Sequence, residues 1–411
     1  MIENIVIFLY LIIFFGIALL VWTFAGYPLF LIMFSSLLRT KHKIDNGYLP
    51  KVTMMIMTYN EEKAISKKLD NSFELEYPHE LLEIFVVDSA STDKTQEKVH
   101  EKIREYYKQY KNMPEELRNI VLIAQPKREG KASGINYGMK HASGDIIIIT
   151  DGNAMMSKDA IKKMVRHFAD RKVGGVCGRF EARDLHNTST GKGGNMYWQV
   201  EKVLRTGESK LDSCIHMSGE ITAFRKSLVK ELDTSMLSED FDMAVSIRKK
   251  GMRIIYEPNA IAYEPAPTNV EDLKTQKKRI VIGTLQVLFK HKNMLFNPTY
   301  GWYGVMILTS HKLFQLLTPF AFLGIFLSSL ILGFIEVPGL IHTMLFFKLL
   351  TVLLVVGSAY FASTKLLKNF KPIIFLNYFI ATNYIIVLGW IDFIKGKKIV
   401  TWKKIESSRE F

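Results

Sequence analysis

The feature that most constrains this 411-residue chain is the uneven placement of its apolar residues. Residues 4–38 are almost wholly apolar, and the run from Ile5 to Ala25 carries no charge. Residues 40–295, in contrast, have the composition of a water-soluble domain. Further apolar blocks occupy 313–335, 341–364 and 372–394. Because about 20 apolar residues cross a bilayer as a helix, the pattern predicts an integral membrane protein with a folded domain between its spans.

The first apolar block is predicted to be a retained anchor rather than a cleaved signal peptide. It is longer than a signal peptide, Glu3 is its only early charge, and no small-residue cleavage site closes it. The two cysteines, Cys177 and Cys214, suggest neither a disulfide framework nor a cysteine zinc site. This cysteine usage is what we expect of a domain in the reducing cytosol.

The net charge of +14 is interpreted as a membrane signal rather than a nucleic-acid-binding one, because basic residues flank the apolar blocks. These residues are Arg39, Lys41, Lys43, Lys365, Lys368, Lys371, Lys395, Lys397, Lys398, Lys403 and Lys404. Lys and Arg beside spans mark the cytoplasmic side and attract anionic lipid headgroups. We therefore expect a multi-pass protein of the cell membrane, with its folded domain in the cytosol, membrane lipids as partners and no nucleic acid.

The chain is predicted to divide into five segments. They are an N-terminal transmembrane helix at 1–39, a folded domain at 40–270, an interfacial amphipathic region at 271–300, about three transmembrane helices at 301–395 and a basic cytosolic tail at 396–411. One N-terminal and three C-terminal spans would leave the tail outside the cell. A cytosolic tail would require either that one apolar block lies in the membrane interface or re-enters the membrane, or that a further span is present around 300–318. The segment 271–300 is equally compatible with an ordinary packing helix.

Within 40–270, buried-strand patterns alternate with helical ones, which predicts an α/β fold with a mostly parallel sheet. Three of these strands end in polar groups: TYNEE at 58–62, DS at 88–89 and DGN at 151–153. In such sheets ligands bind at the carboxyl ends of the strands. The sequence contains neither a GxGxxG nor a GxxxxGK[ST] phosphate loop. We therefore expect a polar ligand site at one edge of the sheet.

Each polar cluster has a chemical interpretation and a structural alternative. Asp88 offers a carboxylate to a nucleobase N–H or to ribose hydroxyls, although an aspartate here also caps turns. Asp151 and Asn153 point the same way on an extended backbone and offer oxygens to one hard cation, Mg²⁺ or Mn²⁺. The basic stretch around Lys131 suits phosphate at a helix start, but taken alone it reads as a solvated loop.

Carboxylates are concentrated in LSEDFD at 237–242, where Glu239, Asp240 and Asp242 fall within four residues. Surface charge is one interpretation, and a catalytic base is the other. Asp242 is expected to begin the basic helix that follows, because acidic residues favour a helix N-terminus.

Six motifs occur in an order that resembles the family 2 glycosyltransferases: TYNEE, VVDSASTD, REGKASGIN, TDGNA, SEDFDMAVSIRKKG and QKKRI. The resemblance covers about residues 50–290. It is closest to the membrane-embedded branch that includes hyaluronan, cellulose and poly-N-acetylglucosamine synthases. It implies a GT-A fold, inversion at the anomeric carbon, a nucleotide-diphosphate sugar donor (most often a UDP-sugar), and Mn²⁺ or Mg²⁺. The acceptor would be a glycan or a lipid-linked sugar.

The resemblance also implies roles for individual residues. The nucleotide sugar would be bound by Thr58, Tyr59, Glu61, Asp88, Lys131 and Asp151. The metal would be bound by Asp151 and Asn153. The catalytic set would comprise Asp240 as base, Glu239 beside it, and Gln276 and Arg279 facing the donor diphosphate. The acceptor would contact Gly219, Glu220 and Trp402, although Trp402 is equally consistent with an interfacial aromatic.

Two positions depart from the family pattern. Asn153 replaces the second Asp of DxD, which predicts weaker metal binding rather than its loss, because an amide oxygen still ligates Mg²⁺ or Mn²⁺. Ile280 replaces the Trp of QxxRW, which puts processive synthesis in question. The leading hypothesis is sugar transfer to a growing polysaccharide, and the alternative is addition of one sugar to a polyprenyl-linked or lipid acceptor. A transporter with a nucleotide-binding domain is disfavoured. The predicted spans of this chain carry few charged residues, Lys312 and Lys348, whereas ion and substrate paths are marked by intramembrane charges.

Overall fold

The structure of the chain is a computed structural model that describes residues 2–109, 119–183, 189–265, 270–335 and 371–396, with a few more in 349–357. The predicted tail beyond 396, with Trp402, lies outside the described residues, as does most of the apolar block at 341–364.

In the described part of the chain, eight strands form one mixed sheet in the order β3-β2-β1-β4-β7-β6-β8-β5. The strands are β1 (Val52–Thr58), β2 (Leu82–Asp88), β3 (Ile120–Ala124), β4 (Ile146–Asp151), β5 (Met155–Met156), β6 (Val173–Arg183), β7 (Thr222–Arg225) and β8 (Arg253–Pro265). β1 pairs in parallel with β2 and β4, and β2 with β3. β7 is antiparallel to both β4 and β6, and β6 is parallel to β8. The first half is therefore the parallel α/β unit that the sequence predicts.

Helices precede, cover and follow this sheet. They are α1 (Ile2–Val21), α2 (Tyr27–Phe34), α3 (Ile65–Phe73), α4 (Thr95–Gln109), α5 (Lys131–His141), α6 (Ala160–Val165), α7 (Ser189–Leu211), α8 (Glu239–Lys249), α9 (Val270–Lys290), α10 (Phe314–Phe334) and α11 (Lys371–Ile394). Short π-helical turns join α1 to α2 at Trp22–Gly26 and precede α10 at Tyr303–Ile307 and Thr309–Leu313.

The central strands are apolar on both faces because helices cover both. Met54 and Ile56 of β1 face a core shared with α3, α4 and α6, whereas Met55 and Met57 face a second core shared with α5 and α8. Successive side chains of a strand point to opposite faces, so a strand covered on both sides reads as a continuous apolar run. This packing leaves only the strand ends free to carry polar chemistry.

A third core connects the folded domain to the C-terminal helices. Phe241 and Val245 of α8 pack with Leu285 of α9, and the same cluster includes Tyr303 and Ile386 from the apolar C-terminal region. The predicted amphipathic segment is thus observed as a helix, α9, with one apolar side inside this core. Its position at a membrane surface stays a prediction.

Among the described residues, three helical segments are long and apolar enough to cross a membrane: Ile2–Phe34, Tyr303–Phe334 and Leu376–Ile394. The most apolar window of the first is only 11% buried within the protein. Phe8 and Phe14, for example, are more than 60% exposed. Apolar side chains exposed over a whole helix suit a lipid environment, so the chain has the means to associate with a membrane.

A buried ion pair predicts how the folded domain responds to acid. Glu257 of β8 is 3% exposed and accepts hydrogen bonds from Arg166 Nη2 at 2.6 Å and from His167 Nε2 at 2.9 Å. Burial alone would raise the pKa of Glu257, but the bonds from His167 and Arg166 outweigh it and lower the pKa from 4.5 to about 2. The folded protein therefore gains stability from the ionised Glu257 above pH 4.5, and loses it as the pH falls towards 2.

We expect Glu257→Gln to lower the melting temperature of the detergent-solubilised chain at pH 7, and this deficit to shrink below pH 4.5. The pKa shift corresponds to at most roughly 3–4 kcal/mol, at ~1.4 kcal/mol per pKa unit. Melting temperatures measured from pH 7 to pH 3 test this, with Glu74→Gln as the control because Glu74 forms an exposed pair with Lys158. A deficit that is constant across this pH range would contradict the assignment.

Candidate active site

The register of the parallel strands brings the predicted strand-end residues together. Thr58 of β1 lies opposite Asp88 of β2, and Met57 lies opposite Asp151 of β4. The Gly152 N–H donates to Met57 O at 3.0 Å, which holds the DGN turn against the end of β1. The predicted ligand edge of the sheet is therefore a single continuous surface.

Asp88 is fully buried and its carboxylate is engaged by its own turn. It accepts hydrogen bonds from Thr58 Oγ1 at 3.2 Å, from the Ser91 N–H at 2.9 Å and from Gln96 Nε2 at 2.7 Å. These bonds give Asp88 the turn-capping role that the sequence left open as an alternative. Its contact with a nucleotide stays a prediction.

Tyr59 and Glu61 border the same edge in different ways. The half-buried Tyr59 ring carries the Arg128 guanidinium at 3.7 Å from its centroid, a cation–π contact. Glu61 is 4% exposed, and its N–H donates to Thr95 Oγ1 at 2.7 Å. The basic loop before α5 thus lies over TYNEE, where it adds positive charge to the candidate nucleotide surface.

Lys131, the first residue of α5, lies at the centre of the site. Its Nζ is 2.5 Å from Asp151 Oδ1 and donates to Gly219 O at 3.2 Å. A side chain at Gly219 would place its Cβ 2.6 Å from that Nζ, so a larger residue here would require the Lys131 ammonium to shift. The same Cβ would lie 3.9 Å from Asp240 Oδ2. Lys131, Gly219, Asp151 and Asp240 are therefore neighbours, although 109 positions separate Lys131 from Asp240 in the sequence.

Three half-buried carboxylates converge beside Lys131. Asp151, Glu220 and Glu264 each offer an oxygen, and these oxygens lie within 4.8 Å of one another. Oxygen ligands at this spacing suit a hard divalent cation. Asn153 is 4% exposed and its Nδ2 donates to Glu264 Oε2 at 2.6 Å. Asn153 therefore supports Glu264, and direct ligation by Asn153 stays a prediction.

The sequence did not single out Glu264, which is the penultimate residue of β8. Its neighbours, AIAYEP, read as an ordinary strand. Glu264 reaches the site because β8 pairs with β5, where Met155 lies opposite Tyr263. This long-range pairing, rather than any local motif, brings Glu264 beside Asp151, a predicted metal ligand, and Glu220, a predicted acceptor contact.

The SED motif forms the first turn of α8. Glu239 and Asp240 are its first two residues, and Asp240 Oδ1 accepts from the Phe241 N–H at 2.8 Å. A Cβ on Gly283 of α9 would meet Ser238 Oγ at 2.2 Å, so only glycine lets α9 pack this closely on the start of the motif. Arg279 lies one turn earlier on α9, and its charge acts on both Glu239 and Asp240.

Burial and mutual repulsion shape the acidities of this cluster. Burial raises the pKa of Glu239 to about 7, with the charge of Asp240 adding to the shift and Lys131 opposing it. Burial likewise raises the pKa of Glu220 to about 7, helped by Asp151, and raises the pKa of Asp240. Burial disfavours the Lys131 cation, but the surrounding carboxylates outweigh it and raise the Lys131 pKa. The site therefore gathers several carboxyl groups around one ammonium group, and Glu220, Glu239 and Asp240 bind a proton more readily than exposed carboxylates do.

Asp242 has a different environment from its two neighbours in LSEDFD. Its Oδ2 accepts from Lys290 Nζ at 2.9 Å and its Oδ1 lies 2.8 Å from His291 Nε2. These contacts join α8 to the end of α9. Burial would raise the pKa of Asp242, but the bonds from His291 and Lys290 lower it. Asp242 thus lies in the first turn of the predicted helix and has a structural pairing of its own.

Two further positions of the QKKRI motif and its neighbourhood lie on α9. Gln276 is half-buried on α9, three residues before Arg279. Ile280 is 47% exposed on the same helix. The structure thus brings together Asp151, Lys131, Gly219, Glu220, Glu239, Asp240 and Arg279, with Thr58 and Asp88 at the adjoining strand ends.

Comparison with known families places the chain among glycosyltransferases. Residues 53–233 match the family described as Glycosyl transferase family 2. Residues 146–363, more than half of the chain, match the family described as Glycosyl transferase family group 2.

Two curated relatives are similar to part of the chain. Poly-beta-1,6-N-acetyl-D-glucosamine synthase of Staphylococcus aureus (strain COL) is 27% identical over 258 residues, which cover 62% of this chain and 59% of that protein. The probable glycosyltransferase YdaM of Bacillus subtilis (strain 168) is 27% identical over 258 residues, covering 60% of this chain and 58% of that one. The matched segment thus spans less than two thirds of each relative.

One solved structure is similar over nearly the whole chain. It is the mannosyltransferase PcManGT from Pyrobaculum calidifontis in complex with GDP-Man and Mn²⁺. The TM-score is 0.70 at 25% sequence identity, and the match covers 94% of this chain and 99% of that one. The similarity includes the apolar helices as well as the folded domain.

The carboxylate cluster predicts a measurable metal dependence. We expect Mn²⁺ to raise the melting temperature of the chain, because binding to the folded state stabilises it. Glu264→Gln removes one charged ligand and should weaken Mn²⁺ binding on the order of 10- to 100-fold. Thermal unfolding of the detergent-solubilised protein measures the first effect and titration calorimetry the second, with Glu76→Gln as control because Glu76 pairs with Lys162 in an exposed bridge. Equal Mn²⁺ affinity in wild type and Glu264→Gln would exclude Glu264 as a ligand.

Proposed function

The chain belongs to glycosyl transferase family group 2, and we propose that it transfers a sugar from a nucleotide-diphosphate sugar to a growing glycan at the membrane. The observation that carries this proposal is the site at the carboxyl end of the sheet. There, a half-buried aspartate at a helix N-terminus, Asp240, lies near a carboxylate cluster that suits a divalent cation. The catalytic domain would face the cytosol, where nucleotide sugars are made.

The donor would lie along the edge formed by TYNEE, Asp88 and the DGN turn. Its nucleotide would contact Thr58, Tyr59 and Glu61, and its diphosphate would approach Lys131. The similar mannosyltransferase structure contains GDP-Man and Mn²⁺, and a UDP-sugar is the donor that the synthase-like motifs imply. Arg279 supports the same assignment, because a guanidinium fork matches the oxygens of a diphosphate leaving group.

A divalent cation fits the residues present. Asp151, Glu220 and Glu264 would hold it, with Asn153 either orienting Glu264 or adding an amide oxygen. When bound, such an ion neutralises charge that develops on the diphosphate as the glycosidic bond breaks. Lys131 already contacts Asp151, so it would hold that carboxylate in place beside the donor.

Asp240 would accept the proton of the acceptor hydroxyl as that oxygen attacks the anomeric carbon with inversion. Burial strengthens it as a base by raising its pKa. Glu239 would share the local charge, and Gly219 and Glu220 would border the acceptor. The acceptor oxygen loses its proton to Asp240, the new glycosidic bond forms, and the nucleotide diphosphate leaves towards Lys131 and Arg279.

Addition of a single sugar to a lipid-linked acceptor is the second candidate. Ile280 stands where processive synthases carry Trp. The solved structure whose chain is matched over 99% of its length is that of a mannosyltransferase. In both candidates the acceptor lies close to the candidate spans. The two hypotheses differ in the length of the product.

Product length tests the function directly. We expect the purified full-length enzyme, given labelled UDP-sugars and GDP-mannose with Mn²⁺ or Mg²⁺, to transfer label from one donor onto membrane-extracted acceptors. A ladder of products supports polymerisation, whereas one added residue supports the second candidate. If the enzyme showed no sugar transfer and no donor hydrolysis with any of these donors, the proposed function would be contradicted.

The base assignment predicts a separation between chemistry and binding. We expect Asp240→Asn to lower turnover about 10²- to 10⁴-fold, the usual contribution of a general base, with nucleotide affinity close to wild type. Asp242→Asn is the matched control on the same helical turn. It should melt earlier because Lys290 and His291 lose their charged partner, yet turn over normally once folded. Near wild-type turnover in Asp240→Asn would refute its role as base.

A further inference from the structure

A buried polar network joins α7 to the segment 215–220. At its centre is Arg205, which is 2% exposed. Its Nε donates to Glu201 Oε2 at 2.9 Å and its Nη1 donates to Ser218 Oγ at 2.9 Å. Its Nη2 lies 2.9 Å from His216 Nε2. One guanidinium therefore connects a helix to two residues of the segment that carries Glu220.

The arrangement requires a neutral His216 that accepts at Nε2. Burial and the neighbouring Arg205 cation both lower the pKa of His216 well below its usual value. The planar fork of Arg205 then serves three acceptors with fixed directions. A lysine would keep the charge beside Glu201, but its single ammonium cannot reproduce this geometry.

A second buried residue of α7 ties the start of the segment to the membrane helices. Glu208 is fully buried, and its Oε2 accepts from the Ile215 N–H at 3.1 Å. Its Oε1 accepts from the Tyr27 hydroxyl at 2.8 Å and lies 2.5 Å from His311 Nδ1. The Tyr303 hydroxyl donates to Ile215 O at 2.7 Å. Tyr27 belongs to the first candidate span, and Tyr303 and His311 belong to the second.

His311 closes the network, because its Nε2 lies 2.9 Å from Glu201 Oε1. Glu201 and Glu208 thus share one imidazole, and Arg205 pairs with Glu201. Buried carboxylates are costly unless paired and hydrogen-bonded, and here each oxygen of both has a partner. Such a network allows few alternative arrangements of the groups attached to it.

The attached group is a tight turn. The Ile221 N–H donates to Ser218 O at 3.2 Å, and the same two residues form an isolated antiparallel bridge. Gly219 and Glu220 are the two residues at the corner of this turn. Its one end continues into β7, and its other end is held by the Arg205–Ser218 contact. Fixing Ser218 therefore fixes where Glu220 and the Gly219 carbonyl lie.

We propose that Arg205 is a positioning residue for the transfer reaction, which holds the 218–221 turn so that Glu220 stays beside Asp151 and Glu264. Its link through Glu201 and His311 to the second candidate span sets the turn relative to the membrane helices. The kinetic part of this inference rests on the proposed function, and the structural part does not. A displacement of about 1 Å in a catalytic group can cost ~10²-fold in rate.

Two mild variants remove the contact from its opposite ends. Arg205→Lys keeps the positive charge beside Glu201 but loses the fork to Ser218 and His216. Ser218→Ala leaves the Arg205–Glu201 pair intact. Arg166→Lys is the matched control, because Arg166 also pairs with a buried glutamate, Glu257, and otherwise bonds to Asn46.

Hydrogen exchange on the full-length protein in detergent tests the positioning itself. We expect amides of 215–221 to exchange about tenfold faster in Arg205→Lys and in Ser218→Ala, since one hydrogen bond holding the turn is lost. The same amides should be unchanged in Arg166→Lys. Unchanged exchange of 215–221 in both Arg205→Lys and Ser218→Ala would overturn the proposal, whatever the enzyme's activity.

Turnover tests the consequence for the reaction. We expect Arg205→Lys to lose on the order of 10²-fold in turnover, while its melting temperature falls no further than that of Arg166→Lys. The double variant Arg205→Lys/Ser218→Ala should be no slower than Arg205→Lys, because each change removes the same Arg205–Ser218 hydrogen bond. Arg166→Lys and Ser218→Ala should combine multiplicatively. Wild-type turnover in Arg205→Lys, or multiplicative losses for Arg205 and Ser218, would overturn the positioning role.

A wild type that is inactive with every donor would refute the proposed function, and hydrogen exchange would still decide the positioning.

Discussion

The contact between Lys131 and Asp151 is the interaction on which the candidate site depends. Asp151, Glu220 and Glu264 lie within reach of one ion, and Glu239 and Asp240 lie close by. Like charges at such distances repel by several kcal/mol in a protein interior. The ammonium of Lys131 offsets part of that repulsion, and its carbonyl partner, Gly219, belongs to the turn that carries Glu220. One side chain therefore links the DGN turn after β4 to the 218–221 turn.

The site is assembled from two halves of the fold that obey different rules. The first half delivers Thr58, Asp88 and Asp151 through a parallel register, in which every strand ends at the same edge. The second half delivers Glu220, Asp240 and Glu264 through a short antiparallel strand, a helix start and a long-range strand pairing. The first half is pre-formed by its two covered faces. The second half depends on α7, α8 and α9, which also contact the C-terminal helices.

The parts that the sequence predicts well are those with local signals. The alternation of apolar strands and helices indicated the α/β class, and the order of motifs indicated the family; both predictions are confirmed. Asp151 and Lys131 could be placed because each sits at a strand end or a helix start. Glu264 could not, because its role follows from the pairing of β8 with β5. The buried roles of Arg205 and Glu208 could not be predicted either, because charged residues on a helix usually indicate a solvent-exposed face. The turn-capping bonds of Asp88 show how one strand-end carboxylate can carry a structural role that its motif does not reveal.

The placement of Glu208 has a consequence for how separable the folded domain is. By composition the chain divides into a polar domain and apolar flanking segments. Glu208 nevertheless has partners in both, Ile215 in the domain and Tyr27 and His311 in the flanking segments. If the flanking helices were cut away, this buried carboxylate would lose Tyr27 and His311 while the Ile215 N–H remained its partner. A polar group that loses two of its three partners loses stabilising interactions, and a few kcal/mol are a large share of a domain's stability. The candidate membrane helices thus complete the hydrogen bonding of a residue inside the folded domain, and they are more than an attachment at its ends.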